Sequence, residues 1–416
     1  MEKTTNTSKF IYRCNDCGKE YSGKKTMYLC PQCSAKNNTD SPPKGVLKTV
    51  YDYAGLKKKK RDFSYYSKNG FIDLLPFNSI KSLPALRVGN TPLYCFDKLN
   101  GKKLNYKLYL KDDSQNPTFS FKDRASAVVS AYALEKGYNT IVAASTGNAG
   151  SSLAGMCAAQ NQKAIVMVPE KAPVAKLTQI LMYGAKIVPV KGTYDDAFDL
   201  SIKATEKFGW YNRNTAFNPF TIEGKKTVSY ELFEQLNYTI PDRIFVPVGD
   251  GVIISGVYKG FEDLLELGFI EKMPVIVMVQ SEKSDNLARN IKSDVFKIKP
   301  STTLADSISV DIPRNFHMAK QFILKYKGEF ITVADKDILA ASSLLSKNTG
   351  IFTEPAAATA FAGLLLYDKK GKLKSNSRNV VLLTGSGLKD LKSVSGLLKM
   401  PESIYPDVDN LKELLS

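Results

Sequence analysis

Histidine is nearly absent from this chain: His317 is the one imidazole in 416 residues. That leaves no room for several histidine-dependent schemes at once, although a triad built on a single histidine stays open. His317 lies outside every motif described below and is expected at the surface or in packing. No apolar stretch approaches the ~20 residues a membrane-spanning helix needs, so no span is expected. Internal repeats and low-complexity tracts are missing too, which argues against solenoids and disordered tails. Acidic residues are short in number, 41 against 58 lysines and arginines, for a net charge of +17. The run Lys57-Lys58-Lys59-Lys60-Arg61 invites a nucleic-acid reading. However, lysine outweighs arginine and the charge spreads along the chain. Tyr51, Tyr53, Tyr65 and Tyr66 flank the run but do not recur as stacking units. Nucleic acid is therefore not expected as a partner; a basic surface that attracts a small phosphorylated substrate explains the charge more simply.

Cysteine is scarce and clustered, with four of six at Cys14, Cys17, Cys30 and Cys33. Two C-x2-C pairs beside Gly18 and Pro31 have the spacing of a zinc ribbon. So short a segment buries little core, and a tetrahedral thiolate site would supply its stability. Two disulfides are the alternative, but the start is polar and no signal-like segment precedes the pairs, so a cytoplasmic protein with structural zinc is the expectation. Four thiolates would fill the coordination sphere, which makes the metal structural. Cys95 and Cys157 are expected to be packing residues. A polar linker over 36–44 should separate the ribbon from the body.

The body alternates strand and helix, which predicts a parallel α/β architecture. Ser120-Phe121-Lys122-Asp123-Arg124 opens a helix in which Phe121, Ala125, Val128, Val129 and Tyr132 share a face. An ammonium in a helix's first turn meets the positive end of the dipole, so its charged form is disfavoured. A lysine so tuned is suited to condense with an aldehyde, whereas alone it could equally be a snorkelling side chain. Three strand ends follow, each carrying small polar residues: Ser145-Thr146-Gly147-Asn148-Ala149-Gly150, Gly249-Asp250-Gly251-Val252-Ile253, and Thr384-Gly385-Ser386-Gly387. Backbone N–H groups in such loops, at helix starts, cradle anions. Ligands of open parallel sheets sit at the carboxyl ends of strands. A lysine, two anion-binding loops and a strand-end hydroxyl together make a coherent site for pyridoxal phosphate (PLP).

The ordered set S-F-K-D-R, A-S-T-G-N, E-G-x-K-T, P-V-G-x-G, I-F-x-E-P-A and L-T-G-x-G-L-K-D, over roughly Gly89 to Lys392, resembles the threonine synthases of the tryptophan-synthase-β-like PLP enzymes. The resemblance implies fold type II: a two-domain parallel-sheet body behind a zinc-ribbon-like segment. It implies segments 1–45 for ribbon and linker, 46–123 with 212–416 for the large domain, and 124–211 for a small mobile domain. It also implies that Lys122 holds PLP and shuttles protons, and that Asn148 bonds the ring hydroxyl. Ser145, Thr146 and Ala149 would surround the substrate carboxylate. Gly249, Asp250, Gly251, Val252 and Ile253 would cradle the cofactor phosphate, and Thr384 would meet the pyridine nitrogen. The implied reaction makes L-threonine and phosphate from O-phospho-L-homoserine and water.

Three departures from the family pattern stand out. Asp250 replaces an asparagine beside the phosphate loop, and Ser386 sits where histidine is frequent. Thr221 occupies the place of an arginine that grips the substrate's phosphate; Lys225, Lys226 or Arg213 could substitute. That last departure keeps open a related lyase, such as a cysteate synthase acting on O-phosphoserine or a serine/threonine dehydratase. A ribbon-bearing binding module with an inactive fold is the reading from outside enzymology. Quaternary state and regulation are not legible; a homodimer is compatible with the sequence.

Overall fold

The computed structural model describes residues 8–398 and 400–415. The N-terminal ribbon is an antiparallel sheet of β1 (Phe10–Cys14), β2 (Glu20–Ser22) and β3 (Leu47–Tyr51), in the order β2-β1-β3. β3 follows the polar stretch 36–44 and pairs back onto β1, so this sheet draws on residues from both sides of that stretch. Gly18, at φ +73°, closes the turn between β1 and β2 by donating its N–H to the Cys14 carbonyl at 3.0 Å.

The body starts as an antiparallel pair, β4 (Leu93–Leu99) and β5 (Lys102–Asp112). The chain then leaves to build a parallel four-stranded sheet from β6 (Thr140–Ala144), β7 (Lys163–Pro169), β8 (Lys186–Val190) and β9 (Tyr211–Asn212), in the order β8-β7-β6-β9. It returns with β10 (Arg243–Pro247), β11 (Val275–Ser281), β12 (Glu329–Val333) and β13 (Arg378–Leu383). These join the first pair in a six-stranded sheet, β12-β11-β10-β13-β5-β4, parallel except at β4. β6, β7, β10 and β11 read as nearly unbroken apolar runs because both sheet faces are covered there. Ile244 and Val246 enter one core while Phe245 enters another; Ile141 and Ala143 part from Val142 and Ala144 in the same way. Each such valine, isoleucine or phenylalanine contributes about 1.5–3 kcal/mol on burial.

Two expectations change. The helix begun by Lys122 (Lys122–Glu135) is buried nearly all round rather than on one face. It lies against the Phe220–Lys225 and Asn148–Ala159 helices. Close approach there depends on Gly224, where a Cβ would fall 2.0 Å from the Arg124 carbonyl oxygen. Cys157 packs in the core as expected, but Cys95 is exposed, because β4 is the sheet's edge strand. Among the described residues no helix is long and apolar enough to cross a membrane.

Candidate active site

The loop before Lys122 is laced to two other strand ends. Phe121 N–H donates to the Thr384 carbonyl at 2.9 Å, and Ser386 N–H to the Phe119 carbonyl at 3.1 Å. On the far side, Glu354 N–H donates to the Gly385 carbonyl at 3.1 Å. Phe119 sits at φ +67°, a strained position for a residue with a side chain. Asp123 fixes that turn: its buried carboxylate accepts the Thr118 N–H at 2.7 Å and the Thr118 hydroxyl at 2.5 Å. Arg124 is equally committed, with Nε on Asp113 and Nη1 on Glu231, each at 2.6 Å. Lys122 alone of the trio stays uncommitted: no salt bridge forms at its Nζ among the described residues. Burial pushes its ammonium below the ordinary range, Arg213 adds to this, and Glu354 and Asp250 oppose it.

The Ser145 loop follows β6 directly, and the Asn148–Ala159 helix starts at Asn148 itself. Asn148 is buried, and its amide donates to both Glu354 carboxylate oxygens at 3.0 Å. Glu354 is buried beneath Gly385, whose absent Cβ would lie 2.5 Å from its Oε1. Burial raises its carboxyl pKa against the pull of Asn148 and Lys122. In sequence Glu354 is marked only as the acid of the I-F-x-E-P-A motif. An acid between two strand-end hydroxyl loops was the cue available.

The glycine loop after β10 has the space of a cradle. A Cβ at Gly249 would come within 2.9 Å of the Ile308 backbone, and Gly251 adopts φ +84° before the Val252–Leu267 helix. Val252 and Ile253 form that helix's first turn, so their N–H groups belong to its unsatisfied donors. The Asp250 carboxylate accepts the Arg314 N–H at 3.1 Å, and its carbonyl accepts the Asn315 N–H at 3.0 Å. That engagement of the carboxylate explains how a charge is tolerated at the loop. Thr384 is buried at the end of β13. With the Lys122 amine unpaired, this set fits PLP: an amine for its aldehyde, a helix-start nest for its phosphate and a hydroxyl for its ring.

The helix Phe220–Lys225 brings the remaining expected cations together. The Thr221 hydroxyl is spent on the Asn218 carbonyl at 2.8 Å. Lys226 pairs with Glu223 at 2.5 Å and Asp263 at 2.7 Å. Lys225 is wholly buried and, among the described residues, gives its Nζ only to the Thr221 carbonyl, at 3.2 Å. Arg213 is 1% exposed; Nε reaches Ser126 at 3.1 Å, Nη1 reaches Thr215 at 3.2 Å, and Nη2 has no partner among the described residues.

At the other end, the Sγ atoms of Cys14, Cys17, Cys30 and Cys33 all lie within 4.8 Å of one another. Cys14–Cys33 and Cys17–Cys30 are 3.8 and 3.9 Å apart. A zinc tetrahedron with bonds of ~2.3 Å has edges of about 3.8 Å. Disulfides, at ~2.05 Å, do not match. His317 packs against the ribbon, its Nε2 3.3 Å from the Pro42 carbonyl oxygen.

Residues 85–385 match the family model for pyridoxal-phosphate dependent enzymes, and the chain belongs to that family. In fold it superposes on threonine deaminase isoform 2 from Solanum lycopersicum with a TM-score of 0.64 at 23% identity, over 77% of this chain and 92% of that one, a likeness of fold alone. Sequence narrows the class. The chain is 35% identical to a threonine synthase of Methanocaldococcus jannaschii, over 97% of this chain and 99% of that one. It is 34% identical to a threonine synthase of Methanosarcina acetivorans, over 97% and 98%. Within the PLP enzymes it groups with the threonine synthases.

Proposed function

We propose that this protein is a PLP-dependent lyase of the threonine synthase type, converting O-phospho-L-homoserine and water into L-threonine and phosphate. One observation carries the reading: Lys122, half-buried and without a salt bridge among the described residues, opens a helix whose start is locked by backbone hydrogen bonds to the Thr384 loop, in a chain that aligns nearly end to end with threonine synthases. When bound, the cofactor supplies an electron sink at the substrate's Cα. Lys122 would hold it, Asn148 would meet its ring hydroxyl, Thr384 its ring nitrogen, and Gly249 to Ile253 would take its phosphate. Ser145, Thr146 and Ala149 would orient the substrate carboxylate. In the net reaction the Cγ–O bond breaks and phosphate leaves. The hydroxyl of water ends at Cβ, and Cγ ends as a methyl group. The Lys122 amine would move the protons at Cα and Cβ. Its lowered pKa suits that work, since a neutral amine accepts a proton where an ammonium cannot.

Glu354 would keep Asn148 oriented through its paired hydrogen bonds. The small sheet meets the larger body through ion pairs, Lys176–Asp306 at 2.7 Å and Arg314–Asp195. A unit spanning 124–211 that closes over substrate fits this arrangement and would exclude water until it is needed. The four cysteines would hold a structural zinc. We place the enzyme in the cytoplasm, and a homodimer suits it.

Purified, PLP-loaded protein given O-phospho-L-homoserine should release threonine and phosphate in equal amounts. Folded, loaded protein that releases neither would overturn the reading. Faster turnover of O-phosphoserine or threonine would favour the related lyases that Thr221 keeps open.

A further inference from the structure

Among the described residues the buried cations other than Lys225 and Arg213 are each paired with an acid: Lys111 meets Glu231, Arg124 meets Asp113 and Glu231, and Lys226 and Lys259 share Asp263. Lys225 and Arg213 break that pattern. Both are buried and the Arg213 charge acts on Lys225, yet neither forms a salt bridge among the described residues. An ammonium has three donors, and Lys225 uses one, on the Thr221 carbonyl. Arg213 leaves Nη2 without an acceptor. An isolated buried cation costs several kcal/mol, so such donors persist where something anionic answers them.

Their positions indicate where that anion sits. Lys225 packs on Gly256, one turn into the helix that the glycine loop begins; a Cβ there would meet Lys225 Cβ at 2.5 Å. Arg213 follows β9, and the neighbouring Asn214 side chain accepts the Ala144 N–H at 2.8 Å, at the root of the Ser145 loop. The pair therefore bridges the glycine nest and the hydroxyl loop, beside Lys122.

We propose that Arg213 and Lys225 form a two-pronged site for a phosphate dianion, and that its occupant is the substrate's phosphate and then the inorganic phosphate released. This deepens the reading above and rests on it for the occupant, not for the anion. The shifts of the two groups run the same way and agree with it. Burial drives Lys225 well below the ordinary lysine range, with Arg213 and Lys122 adding to the effect, and burial brings Arg213 down to about 10. A bound dianion would reverse both.

The test uses the PLP-loaded protein and inorganic phosphate as the probe, measured by calorimetry in phosphate-free buffer. Cofactor affinity is followed separately by its visible absorbance. Lys225→Met and Arg213→Met should each weaken phosphate binding about tenfold or more, with cofactor affinity nearly unchanged. Lys225→Arg, which keeps charge and donors, should restore phosphate binding. Unchanged phosphate affinity in both methionine variants would overturn the proposal. So would weakened cofactor binding with phosphate binding intact, since the pair would then serve the cofactor's own phosphate. If a methionine variant does not fold, wild-type protein decides: phosphate should raise its melting temperature saturably at low-millimolar concentration, where general salt effects are small, and no rise there would overturn the site. None of these readouts needs turnover, so an enzyme inactive on phosphohomoserine but binding phosphate through this pair would sink the function and leave the site standing.

Discussion

Lys225 and Lys226 are adjacent in sequence and equally buried, yet they live in opposite electrostatic worlds. Lys226 sits among Glu223, Asp263 and Lys259, two acids against two bases, with its Nζ 4.3 Å from the Tyr51 ring centroid and the Tyr51 hydroxyl on Glu223 at 2.8 Å. Burial would raise the Asp263 carboxyl, but Lys226 and Lys259 outweigh it and hold it well below the usual range. Lys225 faces Arg213 and Lys122 and has no acid in salt-bridge contact. A closed set of charges stiffens the fold. An open set waits for a ligand. The difference teaches that a buried lysine's role is read from the sum of its neighbours, not from its burial.

The largest effect should come from the open set's most reactive member. Lys122→Ala should lower turnover by more than about a thousandfold and abolish the visible band of bound cofactor, read by absorbance and a coupled phosphate assay. Breaking the closed set should instead attack stability. Asp263→Asn or Lys226→Met strands a buried partner and should cost about 3–5 kcal/mol in urea unfolding. Comparable losses from Lys225→Met would erase the contrast drawn here.

A third effect is smaller and carries a sign. Lys225 has a folded pKa well below the ordinary 10.5, so the unfolded chain binds the extra proton between those two values. Stability of the cofactor-free protein should therefore rise with pH across that window and be lost as pH falls through the folded pKa. The slope from this group is at most about 1.4 kcal/mol per pH unit. Lys225→Met should flatten the rise in urea unfolding measured from neutral to alkaline pH. Least of all should turnover respond to the ribbon. Chelation or Cys17→Ser should remove one zinc per chain by elemental analysis and lower the melting temperature while the active-site loops keep their geometry. Loss of metal with no change in melting would make the ribbon dispensable.

Much of the site was legible because its signals are local. Each strand end carries its own small polar residues, so Ser145 to Gly150, Gly249 to Ile253 and Thr384 stood out without any fold. Lys122 was legible from its place at a helix start. What the sequence concealed depends on partners far along the chain. Glu354 answers Asn148 across 206 residues. Lys226 is committed by Asp263, which lies on another helix, and nothing in E-G-K-K-T says which lysine that acid will choose. β3 was hidden too, since its pairing with β1 is set across a polar stretch that reads as a linker. Local composition names a loop; charge balance needs the third dimension.

The most direct measurement reduces the yellow, cofactor-loaded protein with borohydride and maps the labelled peptide by mass spectrometry. The account predicts one pyridoxyl adduct, on Lys122. An adduct on Lys225, the neighbouring buried lysine with a depressed pKa, or on no lysine at all, would contradict it.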